Sequence, residues 1–294
     1  MRRDSPCVVA IGAVLWDVFS DGERLGGAPA NFAVHAAALG ARSAMVSCVG
    51  DDARGKAALE ILSGRDVAID AVQVHAHRPT GSVNVTLVDG QPTYEIVEGV
   101  AWDAITWCSE LAPIAQSAHA LYFGTIDQRE AQSRRAITNF LDAASPDCLR
   151  VYDINFRQHY HTDEIVRESL IRADVLKLND EEVVLLRDYV GGEEDVDVFL
   201  AGILARFDLQ CVILTLGERG CRVLSEGGIC QAMGKRQQVV NTVGAGDAFT
   251  AAFVMYLLAG APMQICAEQA NAVGGFVATQ DSGMPSLPAR FRVF

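Results

Sequence analysis

The chain is predicted to fold as an α/β protein around a mostly parallel, doubly wound sheet. Three observations lead there. Short runs that are apolar throughout recur along the chain, amphipathic stretches of helical length separate them, and no repeat or low-complexity linker divides the series. Strands apolar at every position are expected where helices cover both faces of a parallel sheet. Alternating β and α segments are the pattern of that architecture. With 294 residues, 50% of them hydrophobic and 21% charged, the chain can bury one large core. We therefore read 1–294 as a single domain.

Strands are expected at 7–14, 44–49, 120–123, 149–154, 175–178 and 211–216. Helices are expected between them at 29–39, 53–62, 133–144, 163–172, 181–187 and 196–207. Thr162 suits the N-cap of the helix at 163–172, and Gly40 suits a stop after the first helix. Two regions break the rhythm. Residues 82–89 and 92–97 read as strands joined by Asp89-Gly90-Gln91, and 16–25 is strand-like before Gly26-Gly27. They predict a small β-flap beside the main sheet, with strands at about 14–26 and 80–100. Such a flap either closes over a substrate and excludes water or is a plain edge hairpin. Helices at 246–258 and 263–279 are Ala-rich and apolar, so both are expected to be buried.

Charge narrows the function. The formal net charge is -13, without a Lys/Arg cluster, which disfavours nucleic acid and anionic membranes as partners. No apolar run reaches the length of a membrane span, and no signal-peptide pattern follows Met1, so a cytoplasmic protein is expected. Eight cysteines, none in a C-x-x-C pair, read as small core hydrophobes in a reducing compartment. His75 and His77 lack further ligands in a metal-binding pattern and read as surface histidines.

The segment that carries chemistry is Asn241-Thr242-Val243-Gly244-Ala245-Gly246-Asp247. Strand-like residues 238–240 lead into a glycine turn and then into an apolar helix. Glycines let backbone approach a phosphate, and free amides at a helix start point at it. Neither a P-loop nor a Rossmann fingerprint is present. A carboxylate here repels the anion that the amides attract. Asp247 either complements the helix dipole or handles a nucleophile while the amides hold a phosphoryl group.

The turn and the following Ala248-Phe249 resemble the C-terminal signature of the ribokinase-like (PfkB) carbohydrate kinases. Gly26-Gly27-Ala28-Pro29-Ala30-Asn31-Phe32-Ala33 resembles their N-terminal signature. Residues 16–19 and 92–103 resemble the bacterial fructokinases in particular. The resemblance spans essentially the whole chain. It implies a three-layer α/β/α fold with a β-flap lid, ATP and Mg²⁺ as co-substrates, and a sugar as acceptor. Fructose is the first candidate, with another sugar, a sugar acid, a ribonucleoside or a catalytically silent sugar-binding regulator left open. The exposed face of the flap suggests a homodimer through the lid.

Site roles follow from the same resemblance. Asp247 would be the base, ionised and weak at a helix start, and the amides of Gly244, Ala245 and Gly246 would form an anion hole. Asn179 and Glu182 would organise Mg²⁺ through water, although their spacing equally suits a capping box. Thr215, Gly217 and Gly220 would border the nucleotide, with Glu218 and Arg219 a plain turn. Asn271, with Gly283 and Ser286, would border the adenine and cation pockets. Asp17, Gly26, Gly27 and Asn31 would meet the sugar, with Tyr94 and Ile96 lining the lid. Arg157, just past the strand at 149–154 where open sheets bind ligands, is read from the sequence itself as a local positive charge for phosphate or sugar, or else as a surface ion pair. Asn241 stands where the family usually carries Asp, which puts activation by K⁺ in doubt.

Overall fold

The computed structural model describes residues 5–88, 91–235 and 237–294, with side chains throughout except those of 85–94. In chain order the elements are β1 (Cys7–Ile11), β2 (Leu15–Phe19), β3 (Gly22–Gly26), α1 (Ala28–Ala38), β4 (Arg42–Gly50) and α2 (Ala53–Ser63). Next come β5 (Val67–Ala68), β6 (Val72–His75), β7 (Gly81–Val88), β8 (Gln91–Ile96), α3 (Ala112–Ser117), β9 (Ala120–Gly124) and α4 (Ala131–Asp142). Then follow β10 (Leu149–Asp153), α5 (Asp163–Arg172), β11 (Val175–Asn179), α6 (Asp180–Val190), α7 (Val196–Arg206) and β12 (Cys211–Thr215). The series closes with β13 (Gly220–Ser225), β14 (Gly228–Met233), α8 (Ala245–Leu258) and α9 (Met263–Ala278).

Ten strands form the main sheet, in the order β14-β13-β12-β11-β10-β9-β1-β4-β5, with β6 also paired to β4. From β12 to β5 the pairs are parallel, and only β12–β13 and β13–β14 are antiparallel. Side-chain alternation divides the core in two. Val8, Ala10, Tyr122, Val151 and Val175 face α1, α8 and α9, whereas Val9, Ile11, Leu121, Tyr152 and Leu176 face α4 to α7. Both faces are buried, which is why these strands read as apolar throughout. The rings of Phe32 on α1 and Tyr122 on β9 stack at 4.3 Å.

The sheet reverses its winding at β1, flanked by β4 on one side and β9 on the other. Open parallel sheets leave a crevice outside the strand C-termini at such a reversal. Here β1 also runs out of the main sheet into a second one, of order β3-β2-β7-β8. Asp127 holds this crossing: its Oδ1 accepts from the Ala13 amide at 2.8 Å, and it lies against Gly12, where a Cβ would overlap the carboxyl. The second sheet has a small core of its own, including Leu15, Val83, Ile96 and Trp102. Ile96 therefore packs within that sheet. The turn at Asp89-Gly90 and the side chain of Tyr94 lie outside the described residues.

Thr162 caps α5 by accepting from the Ile165 amide at 3.3 Å. Gly40 follows α1 at φ +110°, against the Phe294 carbonyl. Residues 238–240 form no strand: Val239 and Val240 are exposed, and the Val240 amide bonds the Ala278 carbonyl. Among the described residues no helix is long and apolar enough to cross a membrane.

Beneath the second sheet, the Arg129 guanidinium donates to both Asp103 oxygens (2.7 and 2.8 Å) and to the Val97 carbonyl, and it covers the Trp102 ring. Its side chain is 4% exposed and that of Asp103 0%. Removing one partner of so enclosed a pair strands the other. Asp103→Ala is expected to lower stability by about 3–5 kcal/mol in chemical denaturation.

Candidate active site

The C-terminal ends of the central strands meet at one level, because register pairs Asp153 with both Gly124 and Lys177, and Asn179 with Thr215. Two helices complete the cleft from the other layer. Gly244 precedes α8 at φ +75°, and a Cβ there would overlap the Gly283 carbonyl. Only glycine meets both demands. Asp247 therefore falls in the first turn of α8, with its carboxyl toward the cleft.

Asn31 on α1 reaches it, Nδ2 donating to Asp247 Oδ2 at 2.7 Å. This places the two sequence signatures in contact. The open amides differ from the expected three. Ala245 donates to the Thr242 carbonyl at 3.2 Å, whereas among the described residues nothing accepts from Gly244, Gly246 or Asp247. The Asp247 carboxyl also differs from the weak base expected of a helix start. Burial, followed by the nearby Asp153 charge, raises it to about 6, against the Asn31 hydrogen bond and the Lys177 and Arg157 charges. Enclosure outweighs the helix terminus here.

On the second sheet, Asp17 points from β2 at Gly26, where a Cβ would sit 2.5 Å from Asp17 Oδ2. The missing side chain makes room for the carboxylate. Burial raises Asp17 to about 6, with Arg157 and Arg24 pulling the other way. Gly27 begins α1 at φ +102°. Asn31 Oδ1 is buried without a partner among the described residues. Arg157 is exposed at the cleft after β10, its Nη1 donating to the Phe156 carbonyl at 3.0 Å. Arg157 is close enough to act on both the Asp17 and the Asp247 carboxyls, and Asn31 touches the second of them.

Other expected site residues do structural work. Asn179 and Glu182 form a complete capping box, each accepting from the other's amide at 2.8 Å, and Glu182 Oε1 also accepts from the Phe156 amide at 3.2 Å. A carboxylate oxygen has room for a second hydrogen bond, so this set suits a hydrated cation and not direct ligation. Among the described residues no cluster of His, Cys, Asp and Glu could hold a metal ion directly. His75 instead accepts from the amides of His77 and Arg78 through Nδ1.

Asn271 donates to the Ala232 carbonyl at 2.8 Å and ties α9 to β14. Its side-chain amide faces the β13–β14 hairpin. Thr215 donates to the Leu178 carbonyl at 3.3 Å. Gly217 has φ +57° with open space around it, whereas Gly220 is pressed against the Ala232 carbonyl and starts β13. Arg219 pairs with Asp180. Asn241 accepts from the Val243 amide at 2.9 Å and donates to the Asp281 carbonyl at 3.5 Å.

Four residues near the site went unexpected in the sequence. Lys177 donates to Asp153 Oδ1 at 3.0 Å with both side chains buried, and Tyr122 donates to Asp153 Oδ2 at 3.2 Å. His35 lies under the same loop, Nε2 at 2.9 Å from the Gly283 carbonyl, and burial lowers it to about 4, so the ring is neutral. A lone lysine inside the strand Val-Leu-Lys-Leu-Asn was the available signal.

With this geometry in hand, comparison with known proteins is decisive at the family level. Residues 10–290 match the pfkB family of carbohydrate kinases. The chain belongs to that family. A putative sugar kinase of Pyrococcus horikoshii is 28% identical, over 96% of this chain and 93% of its own. A fructokinase of Klebsiella pneumoniae is 29% identical over 95% of each. The crystal structure of the Pyrococcus protein superposes with a TM-score of 0.82 at 25% identity, covering 96% of this chain and 94% of that one. A fructokinase from Xylella fastidiosa with bound ATP, 20% identical, reaches 0.84 over 96% and 95%. At that identity it shows the shared ribokinase-like fold.

At Gly244 both the positive φ and the contact with the Gly283 carbonyl oppose a side chain. Gly244→Ala is expected to cost about 1–3 kcal/mol of stability, seen as a lowered thermal midpoint, together with loss of turnover.

Proposed function

We propose that this carbohydrate kinase transfers the γ-phosphoryl of Mg-ATP to a hydroxyl of a neutral sugar, with fructose phosphorylated at its terminal hydroxyl as the first candidate. One observation carries the proposal: the Asp247 carboxylate, held by Asn31, stands beside the open amides of Gly246 and Gly244. In the transfer, the sugar oxygen forms a bond to the γ-phosphorus while the bond to the β–γ bridging oxygen breaks. ADP leaves, and the hydroxyl proton passes to Asp247. The amides hold the charge on the moving phosphoryl. A loose transition state asks mainly for positioning, and a carboxyl near 6 is a stronger base than an ordinary aspartate.

Acceptors at the sugar side favour a neutral polyol. Asp17 is a carboxylate, and Asn31 Oδ1 is a buried acceptor without a partner among the described residues. Hydroxyl groups supply the donors both require, whereas a sugar acid would bring its charge against Asp17. The Klebsiella relative, a fructokinase, directs the choice to fructose. The second sheet would cover the sugar and exclude water. Glu182, reached through water, would help orient Mg²⁺ arriving with ATP, where the ion would offset the phosphate charge. Asn241 is neutral and its amide is already engaged, which argues against a monovalent-cation requirement.

A coupled ADP-release assay over fructose, other hexoses, ribose, sugar acids and ribonucleosides tests the assignment. Fructose is expected to give the highest kcat/KM, and absence of turnover with every acceptor would overturn the kinase reading. Asp247→Asn is expected to lower kcat by about 10²–10⁴-fold. The same substitution should stabilise the fold. A carboxyl raised from 3.8 to about 6 on folding weakens the folded state as pH rises through that window. The neutral amide should therefore gain up to about 3 kcal/mol above pH 6. In the wild type, kcat/KM is expected to fall below a limb at about pH 6, set by Asp247 and sharpened by Asp17.

A further inference from the structure

The buried ammonium of Lys177 belongs to none of the roles given so far, yet it lies at the centre of the site's charges. It projects from β11 between two layers. Asp153 on β10 accepts from it at 3.0 Å and in turn accepts from Tyr122 on β9 at 3.2 Å. Above it runs the glycine turn: a Cβ built on Gly246 would lie 3.5 Å from Lys177 Nζ. That is ordinary van der Waals distance, so the ammonium lies directly against the first turn of α8. Glu182 on α6, Asp247 on α8 and Arg157 after β10 complete the charged surroundings.

We propose that Lys177 is a positioning residue for phosphoryl transfer, its ammonium fixed on Asp153 beneath Gly246 so that one buried positive charge serves both the Asp247 base and the adjoining amides. A helix start alone offers only partial charge, and Arg157 is exposed to solvent, where its field is screened. Lys177 is enclosed, and a charge there acts through a weaker dielectric. Burial works against its protonated form, but Asp153 and Glu182 more than offset that, so it keeps its proton more firmly than a free lysine. It is therefore a constant charge over the working pH range and takes no part in proton transfer.

Charge count explains the need. Asp153, Glu182 and Asp247 bring three carboxylates to the place where ATP must deliver more negative charge. Without Lys177, Asp247 would face Asp153 uncompensated, and the carboxyl would hold its proton to higher pH. A base that stays protonated cannot accept the hydroxyl proton as the oxygen–phosphorus bond forms.

The inference rests on the kinase reading, and the test separates the two. Wild type and Asp247→Asn are assayed on fructose and ATP beside Lys177→Met, Lys177→Arg and the double variant Lys177→Met/Asp153→Asn. Near-wild-type activity in Asp247→Asn, or a wild type inactive on every acceptor, removes the reading itself. With the reading intact, Lys177→Met is expected to lose about 10²-fold in kcat with little change in sugar KM. Its acid limb should move up by roughly one pH unit, and Lys177→Arg should recover much of both. Should Lys177→Met leave Asp153 stranded and the chain unfolded, the double variant, which carries neither charge, decides. Turnover at least about tenfold below wild type in the folded double variant supports the proposal. Turnover close to wild type in it, or an unmoved acid limb in a folded Lys177→Met, shows that the lysine only balances Asp153 and overturns it.

Discussion

Charge balance at the C-terminal ends of the central strands is the constraint on which the remaining structure depends. The chain is strongly acidic, and its cleft gathers Asp17, Asp153, Glu182 and Asp247. Each is tolerated for a nameable reason. Asp153 has the Lys177 ammonium and the Tyr122 hydroxyl. Glu182 has two backbone amides. Asp247 has the Asn31 amide. Asp17 has no hydrogen-bond donor of its own among the described residues, and it meets only the more distant charges of Arg157 and Arg24. An unsatisfied carboxylate in a half-buried place is costly to the fold, and such costs concentrate where ligands bind.

The central fold was legible because its strands have both faces covered. Sequences such as Val8-Val9-Ala10-Ile11 and Cys211-Val212-Ile213-Leu214 carry burial at every position. The β13–β14 hairpin left no such trace. β13 is largely buried but β14 is mostly exposed, glycines punctuate the hairpin, and it lies at the sheet edge. The strands β5 and β6 were missed for shortness. Residues 238–240 carry a β-branched pair without any strand partner, so composition alone suggested a strand that pairing does not supply.

At the site, residues whose backbone context is distinctive could be read in advance. Gly244 and Gly26 are such positions, because their space is filled by other atoms. Asn31 and Asp247 meet as their signatures imply. Asn271 was harder, since an amide on a helix facing a nucleotide looks the same in sequence as one tying that helix to a neighbouring strand. Ala245 was harder still, because only the turn's geometry reveals that its amide is already used. Lys177 escaped because apolar neighbours suggested a strand and nothing more; its partner Asp153, and the Tyr122 that donates to Asp153, lie on other strands, 24 and 55 positions earlier in the chain.

The Asn31–Asp247 bond joins residues 216 positions apart, and that separation has a consequence for the order of events during synthesis. Asn31, Asp17 and most of the sheet leave the ribosome well before the glycine turn exists. Chains made from the N-terminus fold progressively as segments emerge. The early part of this one can assemble β1, β4 and β9 around α1, but Asn31 must wait for α8 before its amide finds the carboxylate. A nascent chain therefore carries the Asp17 and Asn31 side of the crevice without the α8 side, and the Asn31–Asp247 bond forms only once the last helices are made.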